Sequence, residues 1–256
     1  MPGGSENKEP PATGKAASHP RIAAIDLGRA LALVGMVAFH FSYDLEIFGW
    51  LAPGTVVSGF YWWLARIVAG TFIFIAGMGL WLSHQDHIRW NSFWRRLLKI
   101  LLAAALVSIV TYFALPGLGI FYGILHAIAL SSLIGLAFLR LPAGLIATTA
   151  LVVFLLPYYW SNPFFSGWLV WTGLSGSIPM TADFEPLFPW FAPFLAGIAF
   201  AKLLTQLNLW PLLSLPESHL LHRLAWPGRH SLSIYLIHQP VLIALVFAGS
   251  WLYWRI

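Results

Sequence analysis

Long apolar stretches alternate with short polar segments along almost the entire chain. Seven of these stretches approach the length of a membrane-spanning helix, because about 20 apolar residues cross a bilayer as a helix. Proline and glycine mark turns between them, as at Pro53-Gly54. We therefore predict helices at about 27–48 and 59–83, a third ending near 114, a fourth at 120–139, a fifth ending near 157, and two more at 188–204 and 230–253.

The composition agrees with this pattern. Hydrophobic residues make up 59% of the chain and charged residues 9%, whereas a soluble domain carries about 25% charged residues. We predict an all-α fold, a polytopic integral membrane helical bundle of about seven transmembrane helices. Residues 21–256 would form a single membrane domain, and the polar residues 1–20 a disordered cytoplasmic tail. Because the chain has no cysteine, thiolate nucleophiles and thiolate metal sites are excluded, and we expect no metal.

Basic residues concentrate on alternate connections, and this indicates the orientation. Of the 14 Lys and Arg residues, twelve fall on one set of loops or helix ends: Lys8, Lys15, Arg21, Arg29, Arg89, Arg95, Arg96, Lys99, Arg140, Lys202, Arg223 and Arg229. Cytoplasmic loops are enriched in such residues, so we predict a cytoplasmic N-terminus and an outer C-terminus. The net charge of +5 is thus a sign of topology rather than of nucleic-acid binding.

The first predicted helix carries ionisable groups that are costly inside a membrane and are therefore functional candidates. His40 and Asp44 are four residues apart, so they share one helical face. Arg29 precedes His40 by eleven residues, which separates them by roughly 16 Å along an ideal helix. The helix offers a cation near the cytoplasmic surface and an imidazole–carboxylate pair deeper toward the outside. A buried polar pair that bridges helices is the alternative for His40 and Asp44.

Other polar residues lie within the later helices. Arg66 needs either an acidic partner, for which Asp44 is the natural candidate, or an outer headgroup to which it can snorkel. His126 and His238 are single histidines on apolar helices, where packing roles are common. Gln239 could donate to a carbonyl oxygen at an oxyanion site.

Two further groups lie toward the two ends of the predicted bundle. Arg95 and Arg96 belong to the most basic loop, where they serve either as topology signals or as phosphate ligands. Asp183, Glu185 and Trp190 lie in or next to the long outer connection at about 158–188, whose length favours a functional role. Carboxylates and an aromatic face suit sugar binding, although an interfacial tryptophan is expected in any case.

Five segments carry a family resemblance over most of the chain. They read IDLGRALALVGMVAFHFSYDL, TFIFIAGMGLWLS, FYGILHAIALSSLIGL, DFEPLFPWFAPFLAGIA and RHSLSIYLIHQPVLI. In order and spacing they resemble the bacterial relatives of heparan-alpha-glucosaminide N-acetyltransferase. The spacing from Arg29 to His40 and the SLSIYLIHQPV segment are also similar to the acyltransferase-3 family, although Ala30 stands where those enzymes usually have glycine.

The resemblance implies an integral membrane acyltransferase in the bacterial inner (cytoplasmic) membrane. Its co-substrate would be cytoplasmic acyl-CoA, expected to be acetyl-CoA, and its acceptor a saccharide or glycolipid hydroxyl or amine on the outer side. His40 would be the general base and Asp44 would orient it. Arg29, Arg95 and Arg96 would bind the donor phosphates. Direct transfer and a transient acyl-histidine both stay open, while membrane lipid is the expected environment.

Two other functional classes fit the same residues. A haem-binding redox module would use two of His40, His126 and His238 as ligands across helices. A proton-coupled transporter would use His40, Asp44 and Arg66 as a relay. The absence of a visible internal repeat counts mildly against the transporter.

Overall fold

The computed structural model describes residues 22–216 and 218–253, and the predicted disordered tail at 1–20 lies outside them. Within those ranges the chain is helical, with one isolated parallel β-bridge between Tyr122 and Phe184. The α-helices are α1 (Ala23–Ile47), α2 (Gly59–His84), α3 (Trp90–Ala114), α4 (Ile124–Gly135), α5 (Ala143–Tyr159), α6 (Leu187–Gln206), α7 (His219–Arg229) and α8 (Ser231–Tyr253). Short 3₁₀ turns follow α4 at Leu136–Phe138, precede α6 at Pro163–Phe165 and Gly167–Thr172, and follow it at Trp210–Leu213.

Five of these helices, α1, α2, α3, α6 and α8, are long and apolar enough to cross a membrane, and α4 and α5 are shorter apolar helices. Helices suit a bilayer because each one satisfies most of its backbone hydrogen bonds internally. The predicted all-α polytopic membrane bundle is confirmed. The fourth helix, however, begins at Ile124 instead of near 120, because the preceding residues are extended.

The centre of the bundle is the contact between α2 and α6. Phe194, Leu195 and Ile198 of α6 are fully buried there. A Cβ added to Gly77 of α2 would collide with the carbonyl oxygen of Phe194, and one added to Gly197 of α6 would collide with the carbonyl of α2 residue Phe74. These two glycines therefore let the helix backbones touch. Helix α5 packs on the other side of α6, and α4 contacts α2, α3 and α6.

Helix α7 lies in the polar segment between the last two predicted helices, where the apolar pattern predicts no helix. Ser218 caps the helix by accepting a hydrogen bond from the N–H of Leu221. Ala225 and Gly228 are buried and α7 packs against α1, where a Cβ at Gly228 would collide with the carbonyl oxygen of Asp26. Helix α1 also contacts α2 and α8, so it connects the central pair to the last two helices.

At the predicted outer side, the connection that precedes α4 forms backbone hydrogen bonds with the connection that precedes α6. The N–H of Ala182 donates to the carbonyl of Leu118, and that of Glu185 donates to the carbonyl of Tyr122. The hydroxyl of Thr181 donates to the carbonyl of Gly119. Extended backbone can enter a packed interior only when its polar groups are satisfied, and this pairing satisfies them. The result is a short two-stranded contact that brings the 181–185 segment against the start of α4.

Candidate functional site

A cavity of about 590 Å³ lies beside the N-terminal part of α3. Its volume falls within the range of about 300–1,000 Å³ that small-molecule sites usually have. One end carries the basic side chains of Arg29, Arg95, Arg96 and Lys99, and the rest is mainly apolar. The predicted donor-binding residues of α1 and α3 therefore line one cavity, which we call the basic cavity.

The cations of the basic cavity are close together and poorly neutralised. The side chains of Arg29 and Arg96 both approach Gly79 of α2, and the guanidinium of Arg29 forms a salt bridge to Asp26 at 3.1 Å. For Arg96, the described residues provide no carboxylate partner. The first turn of α3 also has no acidic residue to offset the positive end of its helix dipole. The cavity is thus suited to an anionic ligand.

His40 of α1 and His238 of α8 lie side by side. Their ring centroids are 5.0 Å apart in an edge-to-face arrangement. His238 Nδ1 lies 2.6 Å from the carbonyl oxygen of Tyr235; since a carbonyl only accepts, Nδ1 carries the proton and donates. Nε2 of His238 then presents a lone pair, and it is buried with no partner among the described residues. The pair therefore contains an imidazole nitrogen that is free to accept a proton.

Asp44 contacts a residue other than the one expected. Its Oδ1 accepts a hydrogen bond of 2.8 Å from the side-chain amide of Gln239, and in the described ranges no hydrogen bond joins it to His40 or Arg66. Asp44 is fully buried, yet its Oδ2 and the Oε1 of Gln239 have no partner within the described chain. Buried polar atoms without partners are uncommon and often mark functional positions. Asp44 therefore orients Gln239, and the expected orientation of His40 by Asp44 is not found.

Tyr235 connects the basic cavity to the histidine pair. It lines the cavity, and its ring centroid is 5.7 Å from that of His238, three residues further along α8. It also interacts electrostatically with Asp183 and Glu185. The sequence offered little to single out this tyrosine, since aromatic residues are common on apolar helices. Its position makes it the wall between the cavity and the deeper polar groups.

The carboxyl groups of Asp183 and Glu185 differ in their surroundings. Asp183 Oδ2 accepts from the N–H of Ile124 at 3.0 Å and so caps α4. Burial raises the pKa of Asp183 to about 6, although this hydrogen bond opposes the rise. Burial and the nearby charge of Asp183 raise the pKa of Glu185 well above its ordinary value, while Arg66 opposes the rise. Glu185 Oε2 is buried without a partner among the described residues, so Glu185 retains the capacity to bind a ligand.

The expected pairing of Arg66 with Asp44 is not observed. The guanidinium of Arg66 lies 3.5 Å from the ring centroid of Trp62 and donates to the Trp62 carbonyl oxygen. Its electrostatic neighbours are Glu185 and Tyr158. Trp190 packs near Gly70, one turn further along α2, and belongs to the shell around the apolar core. Arg66 is exposed on the helix surface, which fits the alternative that it reaches toward headgroups.

His126 has a structural environment. The N–H of Gly123 donates to its Nδ1 at 3.3 Å, so Nε2 carries the proton and faces the hydroxyl of Ser108 at 3.4 Å. The ring stacks on Tyr122, with centroids 5.8 Å apart. Both nitrogens are therefore engaged, and His126 links α3 to the start of α4. Within the described ranges, no cluster of three or more His, Cys, Asp or Glu side chains could hold a metal ion.

Comparison with known proteins adds one finding. A family model described as "Heparan-alpha-glucosaminide N-acetyltransferase, catalytic" matches residues 21–240, which is most of the chain. Searches of curated proteins and of solved structures found no match. The matched range contains the basic cavity, the histidine pair and both carboxyl groups.

Proposed function

Since the chain belongs to the catalytic family of heparan-alpha-glucosaminide N-acetyltransferase, we propose that it transfers an acetyl group from acetyl-CoA to a saccharide or glycolipid across the membrane. At family level it is a membrane-embedded transferase. The donor, the acceptor and the direction of transfer are our proposals. The observation that carries them is the basic cavity, which lies next to a histidine pair with a free buried nitrogen. We also propose that it lies in a bacterial cytoplasmic membrane.

The basic cavity is the proposed site for the phosphates of the donor. Arg29 and Arg96 present guanidinium groups, which match phosphate oxygens in geometry, and Arg95 and Lys99 add charge at the exposed end. The mainly apolar remainder of the cavity suits the pantetheine arm. Arg29 and His40 are eleven residues apart on one continuous helix, close to three full turns, so they lie on nearly the same face. An extended donor along that face would bring its thioester toward His40.

The proposed reaction transfers the acyl group to an acceptor hydroxyl or amine. The acceptor oxygen or nitrogen attacks the thioester carbonyl and gives its proton to an imidazole nitrogen of the His40–His238 pair. The new carbon–oxygen or carbon–nitrogen bond forms as the carbon–sulfur bond breaks, and the departing thiolate takes up a proton. Gln239, adjacent to His238, would donate to the developing oxyanion if its amide turned from Asp44. A route in which His40 first takes the acyl group leads to the same products.

The acceptor is proposed to bind at the outer end, near Glu185. The unpartnered oxygen of Glu185 can accept a hydrogen bond from a sugar hydroxyl or bind an amino group. Arg66 interacts electrostatically with Glu185, and Trp190 packs near Gly70, one turn from Arg66 on α2, so both could complete the site. Asp183 supports the site indirectly, because its oxygen is already used to cap α4.

The geometry does not favour the other two functional classes. A haem held by two histidines lies between their rings, whereas the rings of His40 and His238 pack directly against each other. His126 belongs to a separate part of the bundle. A proton relay from Asp44 to Arg66 would need a contact that the described residues do not make.

Acetyl transfer by the purified protein in lipid nanodiscs tests the proposal. The assay measures release of CoA from acetyl-CoA in the presence of amino sugars, sugars and glycolipid extracts, with product detected by mass spectrometry. His40→Ala should reduce turnover by about 100-fold or more, the usual contribution of a general base. His87→Ala is the matched control, because His87 is exposed on the loop between α2 and α3. Unchanged turnover in His40→Ala would overturn the assignment of His40.

A further inference from the structure

We propose that Asp26, Arg29 and Arg229 form a charge-sharing triad through which helix α7 sets the affinity of the basic cavity for the donor phosphates. This inference rests on the proposed function, because it takes Arg29 to be a phosphate ligand. It assigns roles to Asp26, described above only as the salt-bridge partner of Arg29, and to Arg229, which the site described above does not include. Both are positioning residues, since neither lines the cavity.

The triad is centred on one buried carboxylate. Asp26 is 7% exposed, and its two oxygens bind different cations. Oδ1 accepts from Arg29 Nη1 at 3.1 Å, and Oδ2 accepts from Arg229 Nε at 3.4 Å. The carboxylate is therefore divided between a cation that faces the cavity and a cation that belongs to α7.

The packing of α7 holds Arg229 in this position. Gly228, the preceding residue, sits so close to the backbone of Asp26 that it has no room for a side chain. Ala225, one turn earlier on α7, is fully buried. The contact between α1 and α7 thus holds the backbone of Arg229 close to the carboxylate of Asp26.

The effect of the triad follows from counting its charges. Two guanidinium groups and one carboxylate leave a net charge of +1 beside the cavity. Without Arg229, the carboxylate would neutralise Arg29 alone, and the net charge would fall to zero. Without Asp26, the two cations would leave a net charge of +2. Since an anion near these groups responds to their summed charge, Arg229 increases the attraction for phosphate even though it does not touch the cavity.

A purely structural role makes a different prediction. If the triad only held α7 to α1, then losing either residue would weaken the fold, and losing both would be at least as harmful. The charge-sharing triad instead predicts opposite effects of the two single changes and recovery in the double variant. The sign of the effect on donor affinity separates the two cases.

The experiment measures the KM for acetyl-CoA in nanodiscs at low salt for Arg229→Gln, Asp26→Asn and the double variant. Arg229→Gln should raise the KM about three- to tenfold, the effect of one charge lost at roughly 10 Å in a partly screened site. The KM of the double variant should be close to the wild-type value. The KM of Arg229→Lys should also be close to it, because lysine keeps the positive charge. Arg223→Gln, an exposed cation on the same helix, is the control.

S-acetyl-pantetheine, which lacks the nucleotide phosphates, provides the second readout. Its KM should be the same in Arg229→Gln and in the wild type, whereas a damaged fold would alter both donors. If Asp26→Asn does not fold, the KM values of Arg229→Gln and Arg229→Lys for the two donors still distinguish the charge-sharing triad from a purely structural role. Equal changes for both donors, or no change for acetyl-CoA in Arg229→Gln, would overturn the triad.

Arg96→Gln distinguishes failure of the triad from failure of the proposed function. If Arg96→Gln raises the KM for acetyl-CoA but Arg229→Gln does not, the donor site stands and the triad is wrong. If neither variant changes it, and acetyl transfer itself is intact, the basic cavity is not the donor site.

Discussion

The two ends of the bundle differ in their ionisable side chains and in the way they are built. At the predicted inner end, the cations of the basic cavity project from two continuous helices, α1 and α3. At the predicted outer end, Asp183 and Glu185 belong to the connection before α6, whose backbone is hydrogen-bonded to the connection before α4. At the inner end Arg29 and Arg229 share the single carboxylate of Asp26, and Arg96 has no carboxylate partner among the described residues, so positive charge is in excess. At the outer end burial raises the pKa of both carboxyl groups. This arrangement suits an anionic donor on one side and a hydroxyl- or amine-bearing acceptor on the other.

Because the two ends are built from different elements, the residues of one end can be substituted without changing those of the other. Tyr235 is the residue that faces both ends, since it lines the basic cavity and interacts with both carboxyl groups. Changes at one end that leave Tyr235 in place should therefore alter the kinetics of one substrate and leave those of the other substrate unaffected.

Arg96→Gln should give the largest change at the inner end. It removes a guanidinium from the basic cavity, and charged hydrogen bonds are worth about 1.5–3 kcal/mol, so the KM for acetyl-CoA should rise roughly 10- to 100-fold. The KM for the acceptor should stay within about twofold. Steady-state kinetics with each substrate varied in turn measures both values, and Arg140→Gln serves as control because Arg140 lies outside the cavity. An equal rise in both KM values would contradict the separation of the two ends.

Glu185→Gln should affect the outer end. The amide keeps the shape of the side chain but removes its ability to ionise, so acceptor KM should rise about tenfold for an amine acceptor, the value of one charge-assisted hydrogen bond. A hydroxyl acceptor should be affected less. The KM for acetyl-CoA should not change. Loss of donor affinity in this variant would mean that Glu185 acts on the basic cavity, most directly through Tyr235.

Asp183→Asn should change the pH dependence of stability. Because the pKa of Asp183 in the folded protein is raised to about 6 from 3.8, its stabilising contribution is fully present below pH 3.8 and is lost as the pH rises through about 6. The variant keeps an oxygen that can accept from Ile124 but cannot ionise. It should therefore be more stable than the wild type at pH 7 by roughly 1 kcal/mol, and this advantage should shrink toward pH 4.

Thermal unfolding in detergent between pH 4 and pH 7.5 measures this difference. Glu185→Gln and the double variant should be run beside it, because the charge of Asp183 contributes to the raised pKa of Glu185. A pH profile of Asp183→Asn that runs parallel to the wild-type profile would show that the capping carboxylate stays ionised across the range.

Ser108→Ala should give the smallest effect. It removes the hydroxyl that His126 Nε2 faces at 3.4 Å, a long hydrogen bond worth about 0.5–1 kcal/mol. Stability should fall by that amount and acetyl transfer should be nearly unchanged. A tenfold or larger fall in turnover without loss of stability would indicate that His126 takes part in acetyl transfer.

The helical frame was predictable because its signal is local. Each apolar run became a helix, and the cluster of basic residues after α2 marked the end at which the cavity lies, although Arg95, Arg96 and Lys99 belong to α3 and not to the predicted loop. Helix α7 was missed because the search for long apolar runs passes over an eleven-residue amphipathic helix. Its signal was nevertheless present, in the Ser218 cap and in leucines at 220, 221 and 224 on neighbouring turns.

The contacts of the candidate site were predictable only in part. The residues on α1 were evident, since ionisable groups stand out in an apolar run. Their partners depend on how distant helices pack, and no local pattern reveals that His238 meets His40 or that Gln239 meets Asp44. The cap that Asp183 provides for α4 joins residues 59 positions apart, so it too depends on tertiary structure.

The close backbone approach of α2 and α6, at Gly77 against Phe194 and at Gly197 against Phe74, has a mechanical consequence. Because the backbones of α2 and α6 are in direct contact at these glycines, sliding or rotation of one helix on the other would bring side chains into the contact, and we expect the two helices to move as one unit. One wall of the basic cavity belongs to α2, and the carboxyl-bearing connection leads directly into α6. The basic cavity and the proposed acceptor site near Glu185 are therefore both attached to the α2–α6 pair, and the distance between them should stay constant during turnover. An acyl group that passes between them must be carried by movement of the donor arm or of α1 and α8, and rocking of two halves of the bundle is not required.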